Sequence, residues 1–326
     1  SVICPSQYLS RQLEERFGGS IRVQPHPLPW TDPRRHSGGE PVDSRRVLCF
    51  GRLEVRKGTL KLVAACERLW QRGEDFVLQL VGSDTSYFPR GTTVGKWIRQ
   101  KYAKWIESGR LRIEEALPFA ELMREVRTAA FTVIPSIWEN WPNTCIEAMS
   151  QGKLVVASRH GGQAEMIGDD GRCGFLFSWD EDGSFEQAFS RALRLGGEER
   201  RTMGRAAAGR IAGLCRPDKV LEARLEHFRT VVRKAGRRAR FPFVNRRLRD
   251  SRAREQWPDT DGKGGRVTIL VPHYNLGAYL EETVDSALAA DWPDKEVLVI
   301  DDGSDDPASL EALDRITARE DPLIRV

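Results

Sequence analysis

The sequence predicts an α/β fold in which helices cover both faces of a parallel sheet. Short apolar segments alternate with stretches of helical periodicity, and they predict strands at 47–50, 76–81, 111–113, 131–134, 154–157 and 175–177. Strands that are apolar along their whole length are typical of parallel sheets buried on both faces. Ligands of such sheets bind beyond the carboxyl ends of the strands. We therefore expect a ligand site where four loops meet, namely 51–58, 82–84, 135–143 and 158–165.

Length, composition and cysteine usage limit the class of protein. A chain of 326 residues, with 40% hydrophobic and 30% charged residues, predicts about two domains of an ordinary globular protein. No apolar run approaches the roughly 20 residues that span a bilayer, and no signal peptide opens the chain. The cysteines show no C-x-x-C spacing, and the five histidines form no metal-spaced cluster. These patterns predict a cytosolic protein with buried, reduced thiols at Cys4, Cys49, Cys66, Cys145, Cys173 and Cys215.

The loop after the predicted strand 47–50 carries two cations. Gly51 allows a tight turn, and Arg52 and Lys57 then project from the loop before a helix predicted at 59–71. A fork-shaped guanidinium and a compact ammonium at the end of a strand suit a diphosphate. Plain solvation of basic side chains is the alternative that these residues alone leave open.

The loop at 135–143 carries a carboxylate and leads into a helix that carries a second one. Pro135 ends the preceding strand, and Asn143 is a good N-cap residue, so we expect the helix to begin near it. Free N–H groups and the helix dipole at such a helix start favour an anion. Glu139 in the loop and Glu147 one turn into the helix can face the same crevice, where carboxylates accept hydrogen bonds from sugar hydroxyls. The alternative is that both glutamates cap or solvate the helix start.

Three motifs together resemble one enzyme family. They are Gly51-Arg52-Leu53-x-x-x-Lys57-Gly58, Glu139-x7-Glu147 and Gly161-Gly162-x-x-Glu165. Their combination closely resembles the nucleotide-sugar half of family 4 glycosyltransferases, which are retaining enzymes of the GT-B fold built from Rossmann-like domains. The resemblance implies that Glu139 is the catalytic residue at the donor sugar, that Glu147 contacts the ribose, and that no metal cofactor is required. It further implies that the donor is held by Gly51, Arg52, Lys57, Asn140, Trp141, Thr144 and Glu147.

A second nucleotide-binding unit is predicted near the end of the sequence. A strand from Val267, a helix with apolar spacing and a strand at 296–300 precede Asp301-Asp302-Gly303-Ser304. This stretch resembles the opening of family 2 glycosyltransferases, of the GT-A fold, although His273 departs from the small residue common there. The resemblance implies that Tyr274 and Asp302 hold the base, and that Mn or Mg is needed only by a complete domain of this family. An ordinary turn after a strand is the alternative. The implied nucleotide-binding residues are Pro272, Tyr274, Asp301 and Asp302.

The remaining segments organise the chain around these two units. A basic run at 233–254 carries more positive charge than the whole net charge of +4. It could contact anionic lipid, but a solvated connector between domains is favoured. It lacks the aromatic interleaving expected of a nucleic-acid site, so no nucleic-acid partner is predicted. Residues 31–45 are polar and read as a loop. We expect the end of a first GT-B domain at 1–28, the donor-binding domain at 29–235, a basic linker at 236–265 and a truncated GT-A domain at 266–326.

Amphipathic periodicity predicts further helices and one ambiguous surface. Between Lys96 and Ile106, five apolar side chains fall on one face of a predicted helix and cations fall on the other. Such a helix can lie on a membrane, but packing against the sheet explains the same pattern and is favoured. The five apolar residues are Trp97, Ile98, Tyr102, Trp105 and Ile106. Other helices are predicted at 184–195, 198–213 and 217–235.

Taken with the resemblance, these patterns predict a retaining glycosyltransferase of the cytoplasm, with peripheral membrane contact left open. It would move a hexosyl group from a UDP-, GDP- or ADP-linked sugar to a glycan or lipid-linked acceptor, within a bifunctional protein of polysaccharide synthesis. A non-catalytic nucleotide-sugar-binding module and a GT-B-fold sugar-nucleotide epimerase are the alternatives. The sequence has no initiator methionine, and we expect most of both partner domains to lie outside it. We therefore expect the 326-residue chain to be inactive alone.

Overall fold

The protein consists of two compact units, Ser1–Ala239 and Arg240–Val326. A computed structural model describes residues 2–14, 21–28, 42–87, 90–234, 266–292 and 294–326. The predicted loop residues 31–41 and linker residues 236–265 lie outside the described residues, as does most of the basic run. The domain boundaries expected from the sequence stay predictions.

The first unit opens with a short β–α–β segment. Strand β1 (Val2–Cys4) pairs in parallel with β2 (Ile21–Val23), and helix α1 (Gln7–Glu14) connects them along the chain. Helix α1 packs against β2 and against a helix that borders the candidate site, which ties this segment to the rest of the unit.

A six-stranded parallel sheet forms the centre of the first unit. Its order is β10–β9–β8–β3–β4–β7, and every pair of neighbours runs parallel. The six predicted strands are confirmed, with ends that differ by a few residues. They are β3 (Asp43–Phe50), β4 (Val77–Val81), β7 (Leu111–Glu114), β8 (Ala129–Ile134), β9 (Val155–Ser158) and β10 (Gly174–Phe177), while β5 (Ser86–Tyr87) and β6 (Thr92–Thr93) form a separate antiparallel pair.

Helices cover both faces of this sheet, as the apolar strands predict. Alternate residues of β3 enter different cores: Val47 and Cys49 join one cluster, whereas Leu48 and Phe50 join the other. The first cluster is covered by α2 (Thr59–Gln71), α3 (Val94–Lys101), α4 (Ala103–Glu107) and α8 (Ser184–Arg194). The second is covered by α5 (Phe119–Thr128), α6 (Asn143–Ser150), α7 (Gly162–Ile167) and α9 (Gly197–Leu214), and α10 (Pro217–Lys234) completes the unit.

Two predicted elements differ from the structure. The helix predicted at 96–106 is divided into α3 and α4 at Tyr102, whose backbone φ of −111° is not helical. The apolar side chains nevertheless pack into the core, since Ile98 and Tyr102 are buried and Trp105 contacts Trp70 at a ring distance of 5.0 Å. The packing interpretation is confirmed. The loop predicted at 31–45 is wrong at its end, because β3 begins at Asp43 with three exposed residues that give no apolar signal.

The second unit is a smaller parallel sheet with two helices. Strands β11 (Val267–His273), β12 (Lys295–Asp301) and β13 (Ile324–Arg325) lie in that order, with α11 (Gly277–Leu288) and α12 (Pro307–Thr317) between them along the chain. The two strands and the helix predicted here are confirmed. The core of this unit is small and consists of Val271, Leu280, Val284, Val297, Val299, Ala312 and Ile316.

The six cysteines are buried and free, so the burial predicted for their thiols is confirmed. Burial raises the pKa of the Cys49 thiol to about 12 and that of Cys215 to about 11, so neither is a reactive thiolate at neutral pH. In the described ranges no three His, Cys, Asp or Glu side chains come together in a way that could hold a metal ion. No helix of the described residues is long and apolar enough to cross a membrane.

Candidate active site

Four loops meet at the carboxyl edge of the six-stranded sheet, as expected from the order of strands. Backbone hydrogen bonds join the loops after β3 and β4, where the N–H of Gly51 donates to Val81 and that of Leu53 donates to Ser83, at 2.9 Å each. The loop after β8 is joined to the loop after β3 in the same way. The bond that joins them runs from the N–H of Ile137 to the carbonyl oxygen of Arg56 at 2.9 Å. Two further bonds join the loop after β8 to the loop after β9: Glu139 N–H to His160 O at 3.2 Å and Gly162 N–H to Glu139 O at 3.3 Å.

Glycines allow the close approach of these loops. A Cβ at Gly58 would lie 1.9 Å from the carbonyl oxygen of Pro135, and the backbone φ of +75° at Gly58 also disfavours any other residue. A Cβ at Gly162 would lie 2.0 Å from the carbonyl oxygen of Asn140. The glycines of the predicted motifs therefore fix the distance between the loop that carries the cations and the loop that carries Glu139.

Charged side chains of the loops after β3 and β8 form a chain of ion pairs in which positive and negative groups alternate. The Lys57 ammonium donates to Glu139 Oε1, and Arg56 Nη1 lies 3.3 Å from the same oxygen. Arg56 Nε also lies 3.3 Å from Glu54 Oε1, whose other oxygen lies 3.4 Å from Arg52 Nη2. The structure thus brings together Lys57, Glu139 and Arg52, which the sequence predicts, with Glu54 and Arg56, which it did not single out. Their every-second-residue spacing with Arg52 is a signal that could have indicated both.

The cations border a small pocket between the loops after β3 and β8. The side chain of Glu139 is 10% exposed and that of Lys57 is 23% exposed, whereas Arg52 is 61% exposed and free to move toward a ligand. The pocket is lined by Cys49, Phe50, Gly51, Arg52, Leu53, Lys57, Thr59, Val133, Ile134, Pro135, Ser136 and Thr144. Four of the predicted site residues, namely Gly51, Arg52, Lys57 and Thr144, therefore share one concavity.

Glu147 lies in α6, three residues after Thr144, but it does not line this pocket. The side chain is half-buried, and desolvation by burial raises the pKa of its carboxyl above the ordinary value. No neighbouring cation offsets that desolvation among the described residues.

The residues between Glu139 and Glu147 were predicted to hold the donor or to cap α6, and the structure places their side chains differently. Trp141 is 6% exposed and packs in the second core cluster, so its indole does not face the pocket and only its backbone could meet a donor. Asn140 Oδ1 is buried without a hydrogen-bond partner in the described part of the chain. The expectation that Asn143 caps α6 is wrong. Pro142 occupies the cap position with φ −70°, and Asn143 is the first helical residue without a capping bond from its side chain.

Glu165, the last residue of the third motif, has a structural role. Its carboxylate accepts the N–H groups of Gln7 at 2.9 Å and Tyr8 at 2.7 Å, which are the first two residues of α1. A carboxylate in this position satisfies free helix N–H groups and interacts favourably with the helix dipole. The motif therefore connects the loop after β9 with the β–α–β segment that opens the unit.

The predicted site of the second unit contains one structural and one exposed aspartate. Asp301 Oδ2 accepts the N–H groups of Gly303 and Ser304 at 3.2 and 3.0 Å, and Oδ1 accepts the Ser304 hydroxyl at 2.5 Å. These bonds, led by that of the Ser304 hydroxyl, lower the pKa of Asp301. Asp302 and Tyr274 remain exposed, and Pro272 pairs in register with Ile300. The turn interpretation fits Asp301, whereas the roles implied for Asp302 and Tyr274 stay predictions.

Two family models match the chain. Residues 31–210 match the model described as Glycosyl transferases group 1, and residues 268–326 match that of Glycosyl transferase family 2. The chain is 32% identical over 132 residues to the MMP alpha-(1->4)-mannosyltransferase of Mycolicibacterium hassiacum, covering 40% of this chain and 30% of that protein. It is 28% identical over 163 residues to the D-inositol 3-phosphate glycosyltransferase of Corynebacterium glutamicum, covering 50% and 37% respectively. The chain thus spans about a third of the length of these curated relatives.

Solved structures show the same architecture. The sucrose-phosphate synthase of Thermosynechococcus elongatus aligns with a TM-score of 0.57 at 24% identity, over 72% of this chain and 59% of that chain. The HepE protein of Anabaena, solved in complex with UDP, aligns with a TM-score of 0.56 at 20% identity, over 70% and 63%. At these identities the likeness concerns the fold, and it supports the assignment of the first unit as one half of a GT-B arrangement.

Proposed function

Because the chain belongs to the glycosyl transferases group 1 family, we propose that its first unit binds a nucleotide-sugar donor for the retaining transfer of a hexosyl group. The acceptor would be a glycan or a lipid-linked sugar. The match of residues 268–326 to a second glycosyltransferase family supports a place in a bifunctional protein. The mannosyltransferase named among the curated relatives supports a hexosyl donor, and the D-inositol 3-phosphate glycosyltransferase supports glycosyl transfer more generally.

One observation carries this proposal: Arg52, Lys57 and Glu139 meet at the carboxyl edge of a parallel sheet, beside a pocket. In the proposed complex, Arg52 and Lys57 bind the diphosphate, together with backbone N–H groups near the start of α6. The diphosphate gains negative charge as the glycosidic bond breaks, so fixed cations lower the barrier without a metal. Loss of either cation should cost on the order of 2–4 kcal/mol in the transition state.

The two glutamates would contact the sugar parts of the donor. Glu139 Oε1 is already paired with Lys57 and Arg56, so a sugar hydroxyl would donate to the other carboxylate oxygen. Glu147, half-buried in α6, would accept hydrogen bonds from the ribose hydroxyls. Two hydroxyls on a ribose can satisfy a carboxylate that has no cation beside it, which supports this assignment.

Nucleotide binding to the 326-residue chain tests the proposal. UDP, GDP and ADP are titrated separately while the melting temperature is measured, and at least one of them should raise it. Lys57→Ala should abolish the increase because the diphosphate loses its half-buried cation. Lys104→Ala is the matched control and should leave the increase unchanged. Lys104 is exposed on α4, which leads into the amino end of β7, whereas the candidate site lies at the carboxyl ends of the strands.

The outcomes separate the candidate functions. An increase that Lys57→Ala leaves intact would overturn the assigned site, and no increase with any of the three nucleotides would overturn donor binding itself. Release of a changed nucleotide sugar without an acceptor would instead identify an epimerase. Binding without any transfer in the complete protein would identify a non-catalytic module.

A further inference from the structure

Arg56 is a third cation at the candidate site, and its contacts differ from those of Arg52 and Lys57. Its guanidinium Nη1 lies 3.3 Å from Glu139 Oε1 and donates to the carbonyl oxygen of Trp138 at 3.3 Å. Its Nε donates to Glu54 Oε1, also at 3.3 Å, and its carbonyl oxygen accepts the N–H of Ile137 at 2.9 Å. Arg56 does not line the pocket that Arg52 and Lys57 border. It therefore faces the loop after β8 and not the space that a diphosphate would occupy.

The contacts of Glu139 create a conflict when a donor binds. Lys57 and Arg56 share the same oxygen of Glu139, and that side chain is only 10% exposed. A diphosphate that attracts Lys57 would leave Glu139 with less compensation, close to a second group of negative charge. A carboxylate that is largely removed from water and loses its partner is strongly destabilised or becomes protonated. A second cation that stays in place removes this conflict.

Arg56 is held where it can perform that role. The planar guanidinium distributes its donors over several acceptors, which a lysine ammonium on a flexible stem does not do with the same fixed geometry. Glu54 fixes Nε from one side, while the Trp138 carbonyl oxygen and Glu139 share Nη1 on the other. The backbone bond to Ile137 fixes the distance between the two loops independently of the side chain.

We propose that Arg56 is a positioning residue that keeps Glu139 paired with a cation and oriented toward the donor sugar while Lys57 turns to the diphosphate. This inference rests on the proposed function, because it assigns a partner to Glu139 during donor binding. Arg56 acts through Glu139 and does not bind the diphosphate. Removing Arg56 should therefore weaken nucleotide binding only where Glu139 is present, since Lys57 then has to serve both anions.

A double-mutant cycle distinguishes this indirect role from direct contact. Dissociation constants for UDP, GDP and ADP are measured by calorimetry on the full chain, for the wild type, Arg56→Gln, Glu139→Gln and the double variant. We expect Arg56→Gln to weaken binding about tenfold in the wild-type background and less than twofold in the Glu139→Gln background, as for one charged hydrogen bond. Arg56→Lys keeps the charge without the fork and should recover part of the loss.

Two further measurements exclude a general structural effect. Arg72→Gln is the matched control, because Arg72 is exposed just after α2, which leads away from the loop at 51–58, and it should leave binding unchanged. Unliganded melting temperatures of all variants show whether the fold is retained. Equal weakening by Arg56→Gln in both backgrounds would make Arg56 a direct ligand and overturn the inference. If the wild type binds none of the three nucleotides, the proposed function and this inference fail together. If Lys57→Ala abolishes binding while the cycle is additive, only this inference fails.

Discussion

At the scale of single residues, the candidate site combines carboxylates with opposite environments. Glu139 is largely buried and lies between two cations, whereas Glu147 is half-buried with desolvation as the cause of its raised pKa. The surroundings of Glu147 disfavour its charged carboxylate. A folded protein that keeps Glu147 charged at neutral pH loses stability by doing so, which a ligand rich in hydroxyl groups would recover.

Glu147→Gln should stabilise the unliganded protein near neutral pH. The folded-state pKa of Glu147 is raised above its unfolded value, so its contribution to stability is fully present below the unfolded pKa and is lost as the pH rises through the folded pKa. At pH 7 the neutral glutamine avoids this loss, and we expect an increase in melting temperature of about 2 °C, kept small by solvent that reaches part of the carboxylate.

Comparing the melting temperatures of wild type and Glu147→Gln at pH 4 tests whether the charge of Glu147 causes the difference. Below the ordinary glutamate value both states of the wild type bind the proton, so the difference between wild type and Glu147→Gln should disappear. Glu107→Gln is the control, because Glu107 is exposed at the end of α4 and should show no such pH-dependent difference. A Glu147→Gln variant that is less stable than the wild type at pH 7 would mean that a partner in the protein satisfies the carboxylate.

Sequence reasoning singled out candidate residues whose signal lies within one loop, and it did not single out Arg56, whose contacts join two loops. Arg52 and Lys57 could be predicted because a glycine-rich turn after an apolar strand places them at the sheet edge. Arg56 offers only its spacing with Arg52 as a sequence signal, because its contacts with Trp138 and Glu139 come from a loop about 80 residues later in the chain. Trp141 belongs to a site motif, yet its indole packs in the core, and only the three-dimensional arrangement distinguishes these roles.

At the scale of elements, the loops are held in contact by glycine positions. Gly58 and Gly183 offer a matched comparison, because each precedes a helix and each has a φ of +75°. They differ in their surroundings: a Cβ at Gly58 would lie 1.9 Å from Pro135 O, whereas a Cβ at Gly183 meets nothing within 4 Å. The difference between the two alanine variants therefore isolates the effect of loop contact from backbone strain.

Gly183→Ala should lower the free energy of unfolding by about 1 kcal/mol, which is the cost of a left-handed conformation for a residue with a Cβ. Gly58→Ala should lower it by roughly 3 kcal/mol, because the loops after β3 and β8 must also separate. Urea unfolding measures both values. Only Gly58→Ala should weaken nucleotide binding, and equal losses in the two variants would show that the loop contact contributes nothing.

Elements were predicted well where apolar residues run continuously and poorly where polar residues form the element. Five strands of the main sheet are buried along most of their length, which explains why they could be identified, whereas in β7 only Leu111 is buried. The exposed start of β3 at Asp43–Phe50 gave no such signal. The break at Tyr102 could not be predicted either, since the apolar periodicity of 96–106 continues through it.

At the scale of the whole molecule, the two units have cores of very different size. The sheet of the first unit is buried between two large apolar clusters, whereas the described residues of the second unit form a single cluster of seven buried residues. Net stability rises with the apolar area that a unit removes from water, and small cores are marginal. We therefore expect two transitions on heating, with the second unit unfolding at the lower temperature.

Two valine-to-alanine variants test this expectation, because Val156 and Val284 are both fully buried, one in each unit. Each loses about 2 kcal/mol through the cavity that the smaller side chain leaves. Val284→Ala should lower only the first transition in differential scanning calorimetry, and Val156→Ala only the second. The effect of Val284→Ala should be the larger in degrees, since a small unit has a smaller entropy of unfolding. A single transition that both variants lower equally would show that the units unfold together, and the expectation of separate stability would then be wrong.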